Sequence, residues 1–211
     1  MKNWKYLFLL LLGVPVYFII QGSQLKGNEG EGEGYTIGSV VDEFELMNVN
    51  DQMVNLMDYT DQQGVIVIFT CNSCPFSVAY EDRIIELHEN FGNQGFPVLA
   101  INSNDVVRKP EDSFDNMKVR AADKGFTFAY VYDETQEIAT AFGATRTPHV
   151  YLLKNDDGQF VVSYIGAIDD NPMNADNVED EFLASAIGAV KDGTDPDPNF
   201  TKAIGCTIKW K

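Results

Sequence analysis

The 211-residue sequence predicts an α/β protein with a central mixed β-sheet flanked by helices, and three observations carry that reading. A continuous β-branched and aromatic run, Val65-Ile66-Val67-Ile68-Phe69, passes directly into a helical pattern. Strand-like and helical segments then alternate along the chain. Finally, two apolar runs flank Asn155-Asp156-Asp157-Gly158, which adds an antiparallel hairpin to the alternating units.

The elements follow in chain order. Lys2 and Lys5 precede an unbroken apolar run from Tyr6 to Ile20, and a polar, Gly-rich stretch from Gln21 to Gly34 follows it. Charged end, apolar middle and polar exit make residues 1–23 a signal peptide or a membrane anchor. Trp4 to Ile20 falls slightly short of the roughly 20 residues that span a bilayer, and Pro15 lies within it. Gln21-Gly22-Ser23 is a poor cleavage site, so an uncleaved anchor over residues 4–20 fits better. With Lys2 and Lys5 on the cytoplasmic side, the domain is expected to be exported, in a periplasmic or other extracytoplasmic location. Residues 24–37, with Asn28-Glu29-Gly30-Glu31-Gly32-Glu33-Gly34, read as a flexible acidic linker, and residues 38–211 as one domain.

Within that domain, residues 65–69 have no polar break and are expected to form a central strand covered on both faces. Phe76, Ala79, Tyr80, Ile84, Ile85, Leu87 and Phe91 recur at helical spacing. Phe96 to Ile101 predicts a strand, Pro110 to Lys124 a helix ended by Gly125, and Phe128 to Val131 a third strand. Asp133-Glu134-Thr135-Gln136 resembles a capping box that opens a short helix over Ile138, Ala139 and Phe142. Val150 to Leu153 and Val161 to Ile165 form the hairpin, Glu179 to Val190 a closing helix, and Thr194 to Lys211 a tail.

With 45% hydrophobic residues and 12% aromatics the chain can fill a core, which excludes wholesale disorder. The formal charge is −17, and the two lysines at the N-terminus leave −19 for the remainder. Such a surface repels phosphate backbones, so nucleic acid is not an expected partner. Three cysteines, Cys71, Cys74 and Cys206, are too few for a disulfide-stapled scaffold, and two of them stand three residues apart.

Cys71-Asn72-Ser73-Cys74 falls where the buried strand hands over to the helix. A thiol exchanges with disulfides as the thiolate, and a helix N-terminus turns unpaired N–H groups toward the sulfur. The spacing therefore assigns Cys71 as nucleophile and Cys74 as the thiol that resolves the mixed disulfide. Pro75 follows where its missing N–H costs least.

Phe69-Thr70-Cys71-Asn72-Ser73-Cys74-Pro75, together with Thr147-Pro148, resembles the thioredoxin superfamily, in which that proline is cis and packs beside the disulfide. Within it the chain is similar to the redoxin (AhpC/TSA-like) branch, since 77 residues separate Cys71 from Pro148 and that branch inserts a strand and a helix there. Ala100-Ile101-Asn102-Ser103-Asn104-Asp105, Pro110-Glu111-Asp112-Ser113-Phe114, Gly166-Ala167-Ile168-Asp169-Asp170 and Gly205-Cys206-Thr207-Ile208-Lys209-Trp210 extend the likeness over residues 38 to 211. The resemblance implies a thioredoxin-like fold and a thiol–disulfide oxidoreductase. Asn72, Ser73, Thr147 and Pro148 would shape the substrate edge, and the Cys71–Cys74 disulfide would be the redox centre, with no cofactor besides it. Partners would be protein or small-molecule thiols and disulfides, and a membrane electron donor if the domain works as a reductant.

Two departures bear on the alternatives. The thiol peroxidases of the redoxin group carry Thr three residues before the reactive Cys, where this chain has Ile68. Thioredoxins bury a carboxylate on the central strand; residues 65–69 hold none, so the proton goes either to water or to another group such as Glu81 or Asp82. A copper-delivery protein is the other alternative, with Cys71, Cys74 and His149 as ligands, although its relatives space the cysteines more widely. Cys206 is either an apolar filler or a third redox thiol. His88, in mid-helix, and Arg146, in a loop, read as ordinary surface residues.

Overall fold

The computed structural model describes residues 34–211, with Met1. The expected signal or anchor, and all but the last four residues of the expected linker, lie outside the described residues. No described helix is long and apolar enough to cross a membrane.

In chain order the elements are β1 (Glu45–Asn48), β2 (Met53–Asn55), β3 (Gly64–Phe69), α1 (Pro75–Phe91), β4 (Val98–Asn102), α2 (Phe114–Lys124) and β5 (Ala129–Tyr132). Then come α3 (Glu137–Phe142), β6 (Arg146–Thr147), β7 (His149–Asp156), β8 (Gln159–Gly166), α4 (Phe182–Lys191) and β9 (Cys206–Thr207). Seven strands form one sheet in the order β2-β1-β5-β4-β3-β7-β8, and β6 pairs with β9 in a separate ribbon. β3, β4 and β5 run parallel, whereas β7, β8, β1 and β2 are antiparallel to their neighbours, so the sheet is mixed.

Every residue of β3 is buried, as its unbroken apolar run demands. Side-chain alternation along it separates two cores. Ile66 and Ile68 pack with Tyr80 and Ile84 of α1, Met117 of α2 and Leu183 and Ile187 of α4. Val65, Val67 and Phe69 face the other way, with Ala139 and Phe142 of α3 and with Val41, Leu56 and Ile208. Phe142 anchors this second layer through edge-on contacts with Phe44, Phe69 and Tyr151.

The expected elements appear with three adjustments. Residues 110–112 form a separate 3-10 turn, and the α2 helix begins only at Phe114. The capping box before α3 is absent: Gln136 sits in the left-handed region at φ 65° with no side-chain cap. Asp133 instead accepts from the Ala139 N–H at 2.9 Å and from Ser103 Oγ at 2.8 Å, so the same acid orders the helix start from three residues farther back than a capping box uses. The β1–β2 hairpin and the two-residue β9 had no counterpart in the sequence reading.

Candidate active site around three thiols

The loop after β3 carries Cys71 and Cys74 to the start of α1. The helix opens at Pro75, so Cys74 is its N-cap residue and Cys71 stands three residues upstream. That shifts the expected geometry, because the positive end of the helix opens at Cys74 rather than at Cys71. Both cysteines are buried, at 3% and 4% exposure, and all three cysteines are free thiols.

Both sulfurs are held against Thr147, Cys71 at 3.4 Å from its Oγ1 and Cys74 at 3.1 Å from its carbonyl, and the acidities of the two thiols part. The Cys74 thiol is held down to about 4, first by the Cys71 thiol and then, against the cost of burial, by the Cys206 thiol and the backbone N–H groups of Ser77 and Cys206. The Cys71 thiol is pushed up, first by its hydrogen bond to Cys74, then by burial and by the charge of Asp112. One contact opposes this assignment: the Thr147 carbonyl lies 3.1 Å from the Cys74 sulfur and favours its protonated form. On balance the Cys74 thiol is the more acidic of the pair.

Asp112 holds the loop between the cysteines. It is fully buried; one carboxylate oxygen accepts from the backbone N–H of Asn72 at 2.8 Å and of Ser73 at 3.1 Å. The other accepts from Ser73 Oγ at 2.9 Å and Asn104 Nδ2 at 2.7 Å. Asn72 further donates through Nδ2 to the Glu111 carbonyl and accepts from the Tyr130 hydroxyl at 2.9 Å. The polar groups of Asn72 and Ser73, expected at the substrate edge, are thus turned into the protein. Asp112 lies in the Pro110–Phe114 segment, but nothing local marked it out; the loop residues it holds, Asn72 and Ser73, are 40 and 39 residues away.

Thr147 lies against both sulfurs, and its peptide bond to Pro148 is cis. Thr147 Oγ1 is 3.4 Å from the Cys71 sulfur. Glu81 of α1 is buried and, with Cys71 and Tyr130, lines a cavity of about 10 Å³, room for about one water. Its carboxylate is gripped by Arg120 at 2.6 Å on each oxygen and by Lys124 at 3.3 Å. Asp82, the other proposed acceptor, is exposed and pairs with Lys124.

His149 is not brought to the cysteines. Its ring packs on Tyr151 at 4.9 Å, and Nδ1 accepts from the Thr145 N–H at 3.3 Å. Among the described residues, no three Cys, His, Asp or Glu side chains are grouped to hold a metal ion. Burial, with Arg146 second, lowers the His149 pKa to about 4. The folded state therefore binds fewer protons than the unfolded chain below the ordinary value of about 6.5, and stability falls as pH drops from there through about 4. We expect His149→Phe to flatten that acid limb, read as a smaller loss of urea midpoint between about pH 7 and 4.5.

Cys206, half-buried, comes to the same place by backbone pairing. β9 runs antiparallel to β6, with Cys206 opposite Thr147 and Thr207 opposite Arg146. Its thiol lies within hydrogen-bonding reach of Cys74, and burial, then that partner, raise its pKa to about 11.

Comparison with known proteins agrees with this architecture. The AhpC/TSA family profile matches residues 37–169, more than half of the chain. A hypothetical protein of Sinorhizobium meliloti is 30% identical, with TM-score 0.77, the match covering 85% of this chain and 97% of that one. An uncharacterized conserved protein of Geobacillus kaustophilus is 35% identical, with TM-score 0.78, covering 85% and 95%. The thioredoxin domain of a Bacteroides vulgatus thiol-disulfide oxidoreductase shares the fold at 16% identity and TM-score 0.51, covering 61% and 88%. No curated protein matches the sequence.

Proposed function

The chain belongs to the AhpC/TSA family, with a thioredoxin-like fold, and from that footing we propose that it is a thiol–disulfide oxidoreductase acting through Cys71 and Cys74. The observation that carries the reading is the sulfur pair itself: two buried free thiols three residues apart at the mouth of a 17-residue helix, both held against Thr147, which precedes a cis proline. Such a pair gives two electrons to a substrate disulfide. One thiolate attacks, a mixed disulfide forms, and the second thiol displaces the reduced substrate, leaving Cys71–Cys74 oxidised and two product thiols protonated. Run in reverse, the oxidised pair accepts electrons from a substrate dithiol. Substrates are protein or small-molecule thiols and disulfides, and export by residues 1–23 would place the reaction outside the cytoplasm.

Insulin-disulfide reduction, with dithiothreitol as electron source, tests the proposal. We expect turnover by the protein and only the background rate from Cys71→Ser or Cys74→Ser. Absence of turnover together with stoichiometric Cu(I) binding would overturn it in favour of metal delivery.

A further inference from the structure

The tail that carries Cys206 is built into the site. On one side of Cys206, Thr201 hydrogen-bonds the Tyr164 hydroxyl and the Ala167 N–H, and its own N–H donates to the Ile165 carbonyl at 3.0 Å. On the other, Ile208 is buried in the second core. The Lys209 N–H donates to Asn104 Oδ1 at 2.8 Å, and its carbonyl accepts from the Asp105 N–H and from Gln136 Nε2, each at 2.8 Å. Between these anchors the chain passes so close to β6 that a Cβ on Gly205 would lie 2.2 Å from the Thr147 carbonyl oxygen. Only a residue without a side chain lets β9 pair there, and this pairing sets Cys206 opposite Thr147, whose carbonyl lies 3.1 Å from the Cys74 sulfur.

Of the three sulfurs, Cys206 belongs to the residue least covered by protein, while Cys71 and Cys74 are closed off beneath it. Cys74 is the common neighbour of the other two. We propose that Cys206 is a third redox thiol that trades places with Cys71 as the disulfide partner of Cys74, carrying the oxidised state from the buried pair to the surface. The inference rests on the oxidoreductase reading above. Its internal step is an isomerisation: the Cys206 thiolate attacks the Cys74 sulfur of the Cys71–Cys74 disulfide, the Cys74–Cys206 bond forms, and the electron pair of the broken bond leaves on Cys71. The proton lost by Cys206 ends on Cys71, and no net electrons move. A substrate thiolate can then attack the Cys206 sulfur, with Cys74 as the leaving thiolate. The second thiol of that substrate dithiol closes the substrate disulfide and frees Cys206.

The test equilibrates the full-length protein with reduced and oxidised glutathione, quenches in acid, alkylates free thiols and maps disulfide-linked peptides by mass spectrometry. We expect Cys71–Cys74 and Cys74–Cys206 linkages in the wild type, and in Cys71→Ser more Cys74–Cys206 linkage than mixed disulfide between Cys74 and glutathione. Gly205→Val, which cannot seat β9 on Thr147, should lose the Cys74–Cys206 linkage and keep Cys71–Cys74. A Cys71→Ser protein that carries glutathione on Cys74 and leaves Cys206 free would overturn the relay, as would a Cys74–Cys206 yield unchanged by Gly205→Val. Failure of the oxidoreductase reading is a separate result, namely wild type that does not reduce insulin whatever linkages it forms.

Discussion

Asp112→Ala is expected to destabilise the protein by about 3 kcal/mol or more, because it strips a fully buried acceptor from four donors at once. Each buried donor left unpaired costs about 1–3 kcal/mol, with inflowing water recovering part of the sum. In a domain of this size, 3 kcal/mol is worth roughly 6–12 °C of melting temperature, readable by calorimetry. Asp112→Asn should behave differently. Its amide oxygen can still take the Asn72 and Ser73 N–H groups, but its NH₂ then meets the NH₂ of Asn104. Asn104 cannot turn its amide in answer without giving up the Lys209 N–H that its Oδ1 accepts. The Asn variant is therefore expected to keep most of the loop and to loosen the tail, with faster hydrogen exchange at the Lys209 amide than in wild type. Both variants also remove the charge that helps push the Cys71 thiol up. A melting temperature for Asp112→Ala within about 1 °C of wild type would show that the carboxylate does not brace the loop.

That network explains what the sequence disclosed and what it withheld. The central strand was legible because six consecutive buried residues must be apolar, and α1 because its apolar spacing is helical. Cys71, Cys74 and Thr147-Pro148 were legible as residue types whose chemistry or backbone is unusual enough to stand out singly. Asp112 was not, since a carboxylate in a Pro-Glu-Asp-Ser turn looks like any solvated acid until the fold sets it against a loop 40 residues earlier. β9 is two residues long, too short for any period, and its place follows from backbone pairing and from the missing side chain of Gly205. Position alone decided His149 as well: it pairs with Phe69 across β3 and β7, and alternation turns its ring to the Tyr151 side.

In the reduced site the negative charge is expected to reside on Cys74. Spacing alone favours Cys71, whereas the helix start and the three-thiol cluster favour Cys74. With its pKa at about 4 against an ordinary thiol value near 8.5, Cys74 should show thiolate absorbance in the ultraviolet down to about pH 5. Because the partner thiol is the largest cause, Cys71→Ala should return that titration toward the ordinary range. Absorbance is a better readout than alkylation rate, since intrinsic nucleophilicity rises with pKa and offsets much of the lost thiolate fraction. The same shift couples to folding with a definite sign. A pKa lower in the folded state than in the unfolded chain means that the reduced protein binds fewer protons when folded, so the stabilisation is complete above about pH 8.5 and is lost as pH falls through about 4. Oxidation to Cys71–Cys74 removes the titrating group, so the reduced form should lose more urea resistance than the oxidised form on acidification from about pH 8 to 4. Parallel pH profiles for the two redox states, with thiolate absorbance that appears only above about pH 8, would move the charge off Cys74 and require both sulfurs to rest as ordinary thiols.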